Sequence, residues 1–93
     1  MATMQKILKE RGDRYGEFRE HAHISQNLKK IMKDVPKWIL MSAAQREALE
    51  MIAHKIGRIL NGDPNYADSW VDLAGYAQLV VDELNKEKVN AEY

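Results

Sequence analysis

The sequence predicts an all-α protein, an antiparallel bundle of three long helices with a short helix at the N-terminus. Apolar side chains recur at helical spacing through three long segments, and Gly or Pro residues stand between these segments. No alternating pattern typical of β-strands competes with them. Residues 1–93 therefore form a single helical domain. It comprises a short helix and connector at 1–16, a helical core at 17–86 and a tail at 87–93 that we expect to fray.

The first helix is predicted to be short. Thr3 can cap it, and Gly12 can end it after about Arg11. The following residues, RGDRYGEF at 11–18, contain two glycines around a polar turn and are typical of a connector. Tyr15 in this segment can pack over the domain. Alternatively, Tyr15 and the neighbouring arginines bind the base and phosphates of a nucleotide.

The second helix is predicted over about 17–34, before Pro36. Its two histidines, His21 and His23, lie on different sides of the helix. They do not form the i,i+4 pair of a helical two-histidine metal site, so we expect both at the surface. A short connector over residues 37–41 follows, and its large apolar residues should close one end of the core: Trp38, Ile39 and Leu40.

The third and fourth helices have the clearest boundaries. Ser42 and Gln45 have the spacing of a capping box, and Asn61-Gly62 is a strong termination signal. After a loop at 62–66, Asn65 is the predicted cap of the fourth helix, which continues to about residue 86. Asp68 then lies in the first turn, where a carboxylate interacts favourably with the helix dipole.

These two helices each carry a pair of acidic residues one turn apart. Glu47 and Glu50 lie on the third helix, and Asp68 and Asp72 on the fourth. Residues three or four apart project from the same side of a helix, so each pair can present two carboxylates to one cation. The alternative is that both acidic flanks face water, as charged residues opposite an apolar stripe usually do.

Two features indicate that the acidic flanks are covered. Met51 and Leu79 lie among the acidic residues, and Gly57 and Gly75 interrupt the two helices. A glycine inside a helix costs about 1 kcal/mol relative to Ala and can allow close approach by another backbone or a ligand. We therefore expect a homo-oligomer that associates through faces near Gly57 and Gly75, or a nucleotide bound between the two helices.

Composition excludes several classes of function. The formal net charge is zero, which disfavours general nucleic-acid binding, and the chain contains no cysteine for disulfides or thiolate chemistry. No apolar run approaches the roughly 20 residues that span a bilayer, and the N-terminus lacks the apolar core of a signal peptide. We expect a cytoplasmic protein that contacts no membrane. A chain this short gains stability from oligomerisation.

The segments RGDRYGEF at 11–18, REALEMIAHKIGRILNGDP at 46–64 and DSWVDLAGYAQL at 68–79 resemble a small family of phage and prophage proteins of unknown function. More distantly, the chain is similar to the all-α nucleotide pyrophosphohydrolases of the MazG and dimeric dUTPase type, and to a domain associated with nucleotide modification. If the protein is encoded by a phage, the host cytoplasm is its expected location.

The distant resemblance implies a magnesium site and a reaction. Glu47 and Glu50 match the ExxE motif of that superfamily, and Asp72 resembles the end of its second acidic motif. Asp68 stands where the superfamily commonly has Glu. The resemblance implies that these four residues bind Mg²⁺, with Glu50 and Asp72 catalytic, and that a nucleoside triphosphate is hydrolysed to the monophosphate and pyrophosphate.

Cationic and aromatic side chains near these acids are predicted to bind the nucleotide. Lys55, Arg58 and Tyr76 lie on the third and fourth helices, and Tyr15 lies in the connector. The alternative function is non-enzymatic. In that case a phage accessory or counter-defence protein sequesters a nucleotide signal or binds a host protein.

Overall fold

A computed structural model describes residues 3–92, with only the backbone described for 89–92. Within this range the chain forms four α-helices and a short 3-10 helix, and it contains no β-strand. The helices are α1 (Met4–Tyr15), α2 (Phe18–Lys33), α3 (Ala43–Asn61) and α4 (Ala67–Glu92), and the 3-10 helix is Pro36–Leu40. The predicted all-α fold is confirmed, although α1 and α2 are shorter than α3 and α4. No helix in the described range is long and apolar enough to cross a membrane.

Helix α3 is the central element of the bundle. It packs against α4 on one side and against α2 and α1 on another. Its buried positions include the small residues Ala48, Ala53 and Gly57, so neighbouring helices can approach its backbone closely. The predicted capping box is present: the Ser42 hydroxyl accepts from Gln45 N–H, and the Gln45 side chain accepts from Ser42 N–H.

The first connector differs from the prediction. Gly12 lies inside α1, which continues to Tyr15, and the chain turns at Gly16 with φ of 77°. This left-handed conformation strongly favours glycine, whereas a single glycine inside a helix costs only about 1 kcal/mol and does not by itself end the helix. The predicted limits of the second helix are confirmed within one residue, since Glu17 and Asp34 flank α2.

The end of α4 also differs. The helix begins two residues after Asn65, the predicted cap, and runs to Glu92 rather than stopping near residue 86. Residues 87–92, predicted to fray, are described as part of this helix, and Tyr93 lies outside the described residues.

The described core is small. Its buried apolar side chains are Trp38, Ala48, Ala53 and Ile59. Of the three residues predicted to close one end of the core, only Trp38 does so. Ile39 and Leu40 are each 76% exposed, because a 3-10 helix of five residues can turn only part of its surface toward the bundle.

Candidate functional site

A concavity lies where α1 ends, α2 begins and α3 approaches its C-terminus. Its volume is about 590 Å³, within the range of sites for small molecules. We call it the histidine cavity. Its charged, aromatic and imidazole lining residues are Arg11, Tyr15, Glu17, Phe18, His21, His54 and Arg58.

A histidine pair forms part of the cavity wall. His21 Nε2 on α2 lies 3.2 Å from His54 Nδ1 on α3, so one imidazole donates a hydrogen bond to the other. Burial lowers the pKa of both side chains, that of His54 to about 4, and for His54 the neighbouring His21 also contributes. Both imidazoles are therefore neutral near pH 7. The expectation that His21 is a surface residue is wrong, because it is only 5% exposed.

Gly57 explains how α2 comes so close to α3 here. A Cβ atom at this position would lie 3.0 Å from His21 Nδ1. The close approach expected at Gly57 is real, but α2 of the same chain makes it. Gly57 is therefore buried within the chain and is not itself open to a partner subunit, and self-association stays a prediction. A Cβ atom at Gly75, by contrast, would meet nothing within 4 Å.

A row of four side chains, with two aromatic rings between two guanidinium groups, borders the cavity. The Arg58 guanidinium carbon lies 4.3 Å from the centre of the Tyr15 ring, and the Tyr15 ring packs edge-on against Tyr66 at 6.2 Å. Arg14 lies over the other ring, 5.1 Å from the Tyr66 centroid. Cation–π contacts of this kind hold a guanidinium in place while leaving its N–H groups available to a ligand.

The turn that carries Tyr15 is tied to the loop between α3 and α4. The Asn61 amide donates to the carbonyls of Tyr15 and Glu17, at 2.9 Å each, and Asp63 N–H donates to the Arg14 carbonyl at 2.6 Å. A Cβ atom at Gly62 would overlap the backbone of α1. Two segments that are distant in sequence, RGDRYGEF and LNGDP, thus form one structural unit beside the cavity.

The four residues predicted to bind a nucleotide do not share one surface. Tyr15 and Arg58 meet at the histidine cavity. Lys55 reaches across to α4, where its Nζ lies 3.1 Å from an Asp72 carboxylate oxygen. Tyr76 is half-buried on α4 and does not line the cavity.

The four predicted metal ligands also point to different neighbours. Glu50 pairs with Lys33 of α2 at 3.0 Å, Asp72 pairs with Lys55, and Asp68 accepts a hydrogen bond from the Tyr66 hydroxyl at 2.9 Å. On the acidic flank of α3, Glu50 and His54 contact α2, whereas Glu47 and the two predicted ligands on α4 are exposed. Cover by a partner subunit or a nucleotide stays a prediction.

The register of the helices explains this separation. Lys55 pairs with Asp72, and the apolar residues Leu49 and Ile52 share a groove with Ala77. Glu50 lies about 7 Å before Lys55 along the axis of α3. It also points toward α2 instead of α4.

Magnesium requires several oxygen ligands around one position. No group of three or more His, Asp or Glu side chains within the described residues is placed to hold a metal ion. Two of the predicted carboxylates are already neutralised by lysines. The donor set of the described residues therefore does not fit a magnesium centre.

His21, His54 and Phe18 line the cavity but were not among the predicted site residues. His21 was expected at the surface. The histidines come together through the packing of α2 on α3, where His21 contacts His54 and Gly57. No local sequence pattern joins residues 33 positions apart.

Comparison with known proteins identifies a family. The chain matches no curated protein and no solved structure. A family model matches residues 1–84, and its description does not mention the nucleotide pyrophosphohydrolases or the nucleotide-modification domain. Because this match covers nearly the whole chain, the protein belongs to the family described as the domain of unknown function DUF6378.

Proposed function

We propose that the protein binds a nucleotide or a nucleotide-derived anion in the histidine cavity. The observation that carries this proposal is the meeting of two guanidinium groups, two aromatic rings and a neutral imidazole pair around one concave surface. A nucleotide presents the complementary groups, which are phosphates, a planar base and hydrogen-bonding edges.

The phosphates would be held by Arg11 and Arg58. Both line the cavity, from α1 and α3 respectively, and guanidinium groups bind phosphate oxygens through paired charge-assisted hydrogen bonds. Arg58 is already oriented by its contact with the Tyr15 ring, which reduces the entropy lost when it binds an anion.

The base would stack on Phe18. This side chain is 81% exposed although it is strongly apolar and lines the cavity. Base–aromatic stacking contributes about 1–3 kcal/mol in nucleic-acid complexes and does not depend on the identity of the base. The neutral imidazoles of His21 and His54 can then donate to or accept from the base or sugar.

The arrangement of the acidic residues supports binding of the ligand without hydrolysis. The carboxylates of Glu47, Glu50, Asp68 and Asp72 are dispersed, and two of them form ion pairs with lysines. Such a protein would sequester its ligand. The distant resemblance to the MazG-type pyrophosphohydrolases, and to a phage family, makes nucleoside triphosphates and nucleotide signals the first ligands to test.

The test is a calorimetric and thermal-shift screen of nucleotides with and without Mg²⁺, with the recovered ligand then analysed chromatographically. We expect stabilisation by at least one nucleotide and its recovery unaltered. Release of pyrophosphate that requires Mg²⁺ and is abolished in Glu50→Gln would replace the binding proposal with the hydrolase prediction. No response to any nucleotide would refute the proposal and favour a protein-binding role.

Two exposed residues allow matched variants. Arg11→Gln should weaken binding about tenfold, since a hydrogen bond to a charged group contributes about 1.5–3 kcal/mol. Arg19→Gln removes the same charge from an exposed position that does not line the cavity, and it should bind as the wild type does. Phe18→Leu keeps an apolar group but removes the stacking surface. Equal effects of Arg11→Gln and Arg19→Gln would show that the ligand binds elsewhere.

A further inference from the structure

Helix α4 carries an apolar stripe that the described part of the chain leaves about half exposed. Its members follow alternating steps of four and three residues: Trp70, Ala74, Ala77, Val81 and Leu84. All five are exposed, with Trp70 at 52%, Val81 at 46% and Leu84 at 47%. The side of α4 that packs on α3 is a different one, formed by Ser69, Leu73, Tyr76 and Val80. We call the first set the α4 stripe.

The stripe continues onto α3. A shallow apolar groove of about 300 Å³ runs between the two helices, and its lining includes Leu49 and Ile52 of α3 together with Ala77 and Val80 of α4. The two helices therefore present one broad apolar face on the side away from Lys55 and Asp72. Contiguous exposed apolar faces often mark interaction sites.

The exposed area is large enough for a second copy of the chain. The accessible surface is 7249 Å², whereas a compact monomer of this mass exposes about 5,500 Å². The radius of gyration is 16.4 Å, compared with about 12 Å for a compact domain of this length. The excess of about 1,700 Å² is spread over the whole elongated chain, and it is larger than the roughly 800 Å² that each partner buries in a standard interface.

We propose that the α4 stripe is the interface of a homodimer in which two α4 helices cross with a two-fold axis near Ala77. Ala77 is the midpoint of the stripe, and the small side chains at Ala74 and Ala77 allow the two helix backbones to approach closely. The larger Trp70 and Leu84 lie at the two ends, where the helices diverge and more space must be filled. No charged residue interrupts the stripe between its ends, so an isologous pairing leaves no charge buried without a partner.

This interface is distinct from the histidine cavity, and its test does not depend on nucleotide binding. We expect the wild-type chain to have about twice its 10.7 kDa mass in light scattering and sedimentation across micromolar concentrations. Leu84→Glu places a charge in the stripe and should raise the dimer dissociation constant by at least about tenfold.

Leu79 supplies the matched control. It is 60% exposed on the same helix but faces away from the stripe, so Leu79→Glu should leave the dimer intact. A monomeric wild type, or equal disruption by the two variants, would overturn the proposal, whether or not the chain binds another protein.

A second measurement avoids the risk that a charged variant fails to fold. The chain has no cysteine, so Ala77→Cys introduces a single thiol at the proposed axis. Mild oxidation should convert Ala77→Cys into a covalent dimer, while Gly75→Cys, on another side of α4, should remain largely uncrosslinked. Equal crosslinking of the two variants, or none for Ala77→Cys, would contradict the proposed crossing.

Discussion

Lys55 on α3 reaches Asp72 on α4 through a stem that is almost entirely buried. The Lys55 residue is 8% exposed, its Nζ lies 3.1 Å from the Asp72 carboxylate, and the Asp72 side chain is 51% exposed. The aliphatic stem therefore packs between the helices, and its charge meets a carboxylate at the edge of the bundle. A residue predicted to bind phosphate and a residue predicted to bind metal thus hold two helices together.

This pair predicts unequal losses of stability when one or the other partner is replaced. Asp72→Asn leaves the buried ammonium of Lys55 without its counter-charge and should lower the free energy of unfolding by about 1–2 kcal/mol. Lys55→Met keeps the buried stem, removes the charge and should be nearly neutral. Urea denaturation measures both, with Asp82→Asn on the exposed side of α4 as the control. Stabilisation by Asp72→Asn would instead indicate a crowded carboxylate cluster of the kind that binds metal.

The same Gly→Ala substitution should change the free energy of unfolding in opposite directions at Gly75 and at Gly57. Gly75→Ala should raise the free energy of unfolding by about 0.5–1 kcal/mol, since Ala favours the helix and the new methyl group meets no neighbour. Gly57→Ala has the same advantage but places its methyl group 3.0 Å from the buried His21 ring, so we expect a net loss of about 1 kcal/mol.

The cause of that loss is tested by a double-mutant cycle. In a His21→Ala background the ring is gone, so Gly57→Ala should become stabilising there. If Gly57→Ala is equally unfavourable in both backgrounds, the His21 contact is not its cause. Thermal and urea unfolding of the four proteins decide between these results.

The histidine pair predicts a loss of stability in mildly acidic solution. Burial lowers the pKa of His21 and lowers that of His54 from 6.5 to about 4. The unfolded chain takes up protons near the ordinary value of 6.5, whereas the folded chain resists protonation. The stabilising contribution is therefore complete above about pH 6.5 and is lost as the pH falls toward 4, at up to about 1.4 kcal/mol per pH unit for each proton.

The measurement is the free energy of unfolding at several pH values between 7 and 4. His54→Gln keeps a polar group of similar size but cannot titrate, so it should flatten this profile. His23→Gln alters an exposed histidine on α2 and should leave the profile unchanged. A profile that is equally steep in His54→Gln and in the wild type would rule out this histidine as its source.

The Asn61 amide predicts a link between the loop after α3 and the turn after α1. Asn61→Ala removes two hydrogen bonds to the carbonyls of Tyr15 and Glu17 and should cost about 1–3 kcal/mol. Asn61→Asp should cost more, because a carboxylate would face two carbonyl oxygens. Asn85→Ala, at an exposed position of α4, is the control.

Hydrogen exchange locates the effect of Asn61→Ala. The amide protons near Gly16 should exchange faster in this variant, because the turn has lost its anchor. Unchanged protection at the turn, together with a global loss of stability, would indicate that Asn61 acts only within its own helix.

The sequence by itself determined the helical class and most of the helix limits. Ser42 with Gln45 specifies the start of α3, and Asn61-Gly62 specifies its end, because capping depends on residues only a few positions apart. It did not distinguish Gly12 from Gly16 as the end of α1. Both are permissive residues, and the positive φ at Gly16 is required by the turn that packs against Asn61.

Only the tertiary structure decided which helix faces which flank of α3. Helical spacing puts Glu47, Glu50, His54 and Arg58 on one flank of α3. That flank nevertheless faces α2 and α1 rather than the acidic residues of α4, because the rotation and register of packed helices depend on contacts between segments distant in sequence. The predicted metal ligands are dispersed for this reason, and a cavity formed by His21 and His54 lies where no local pattern indicated one.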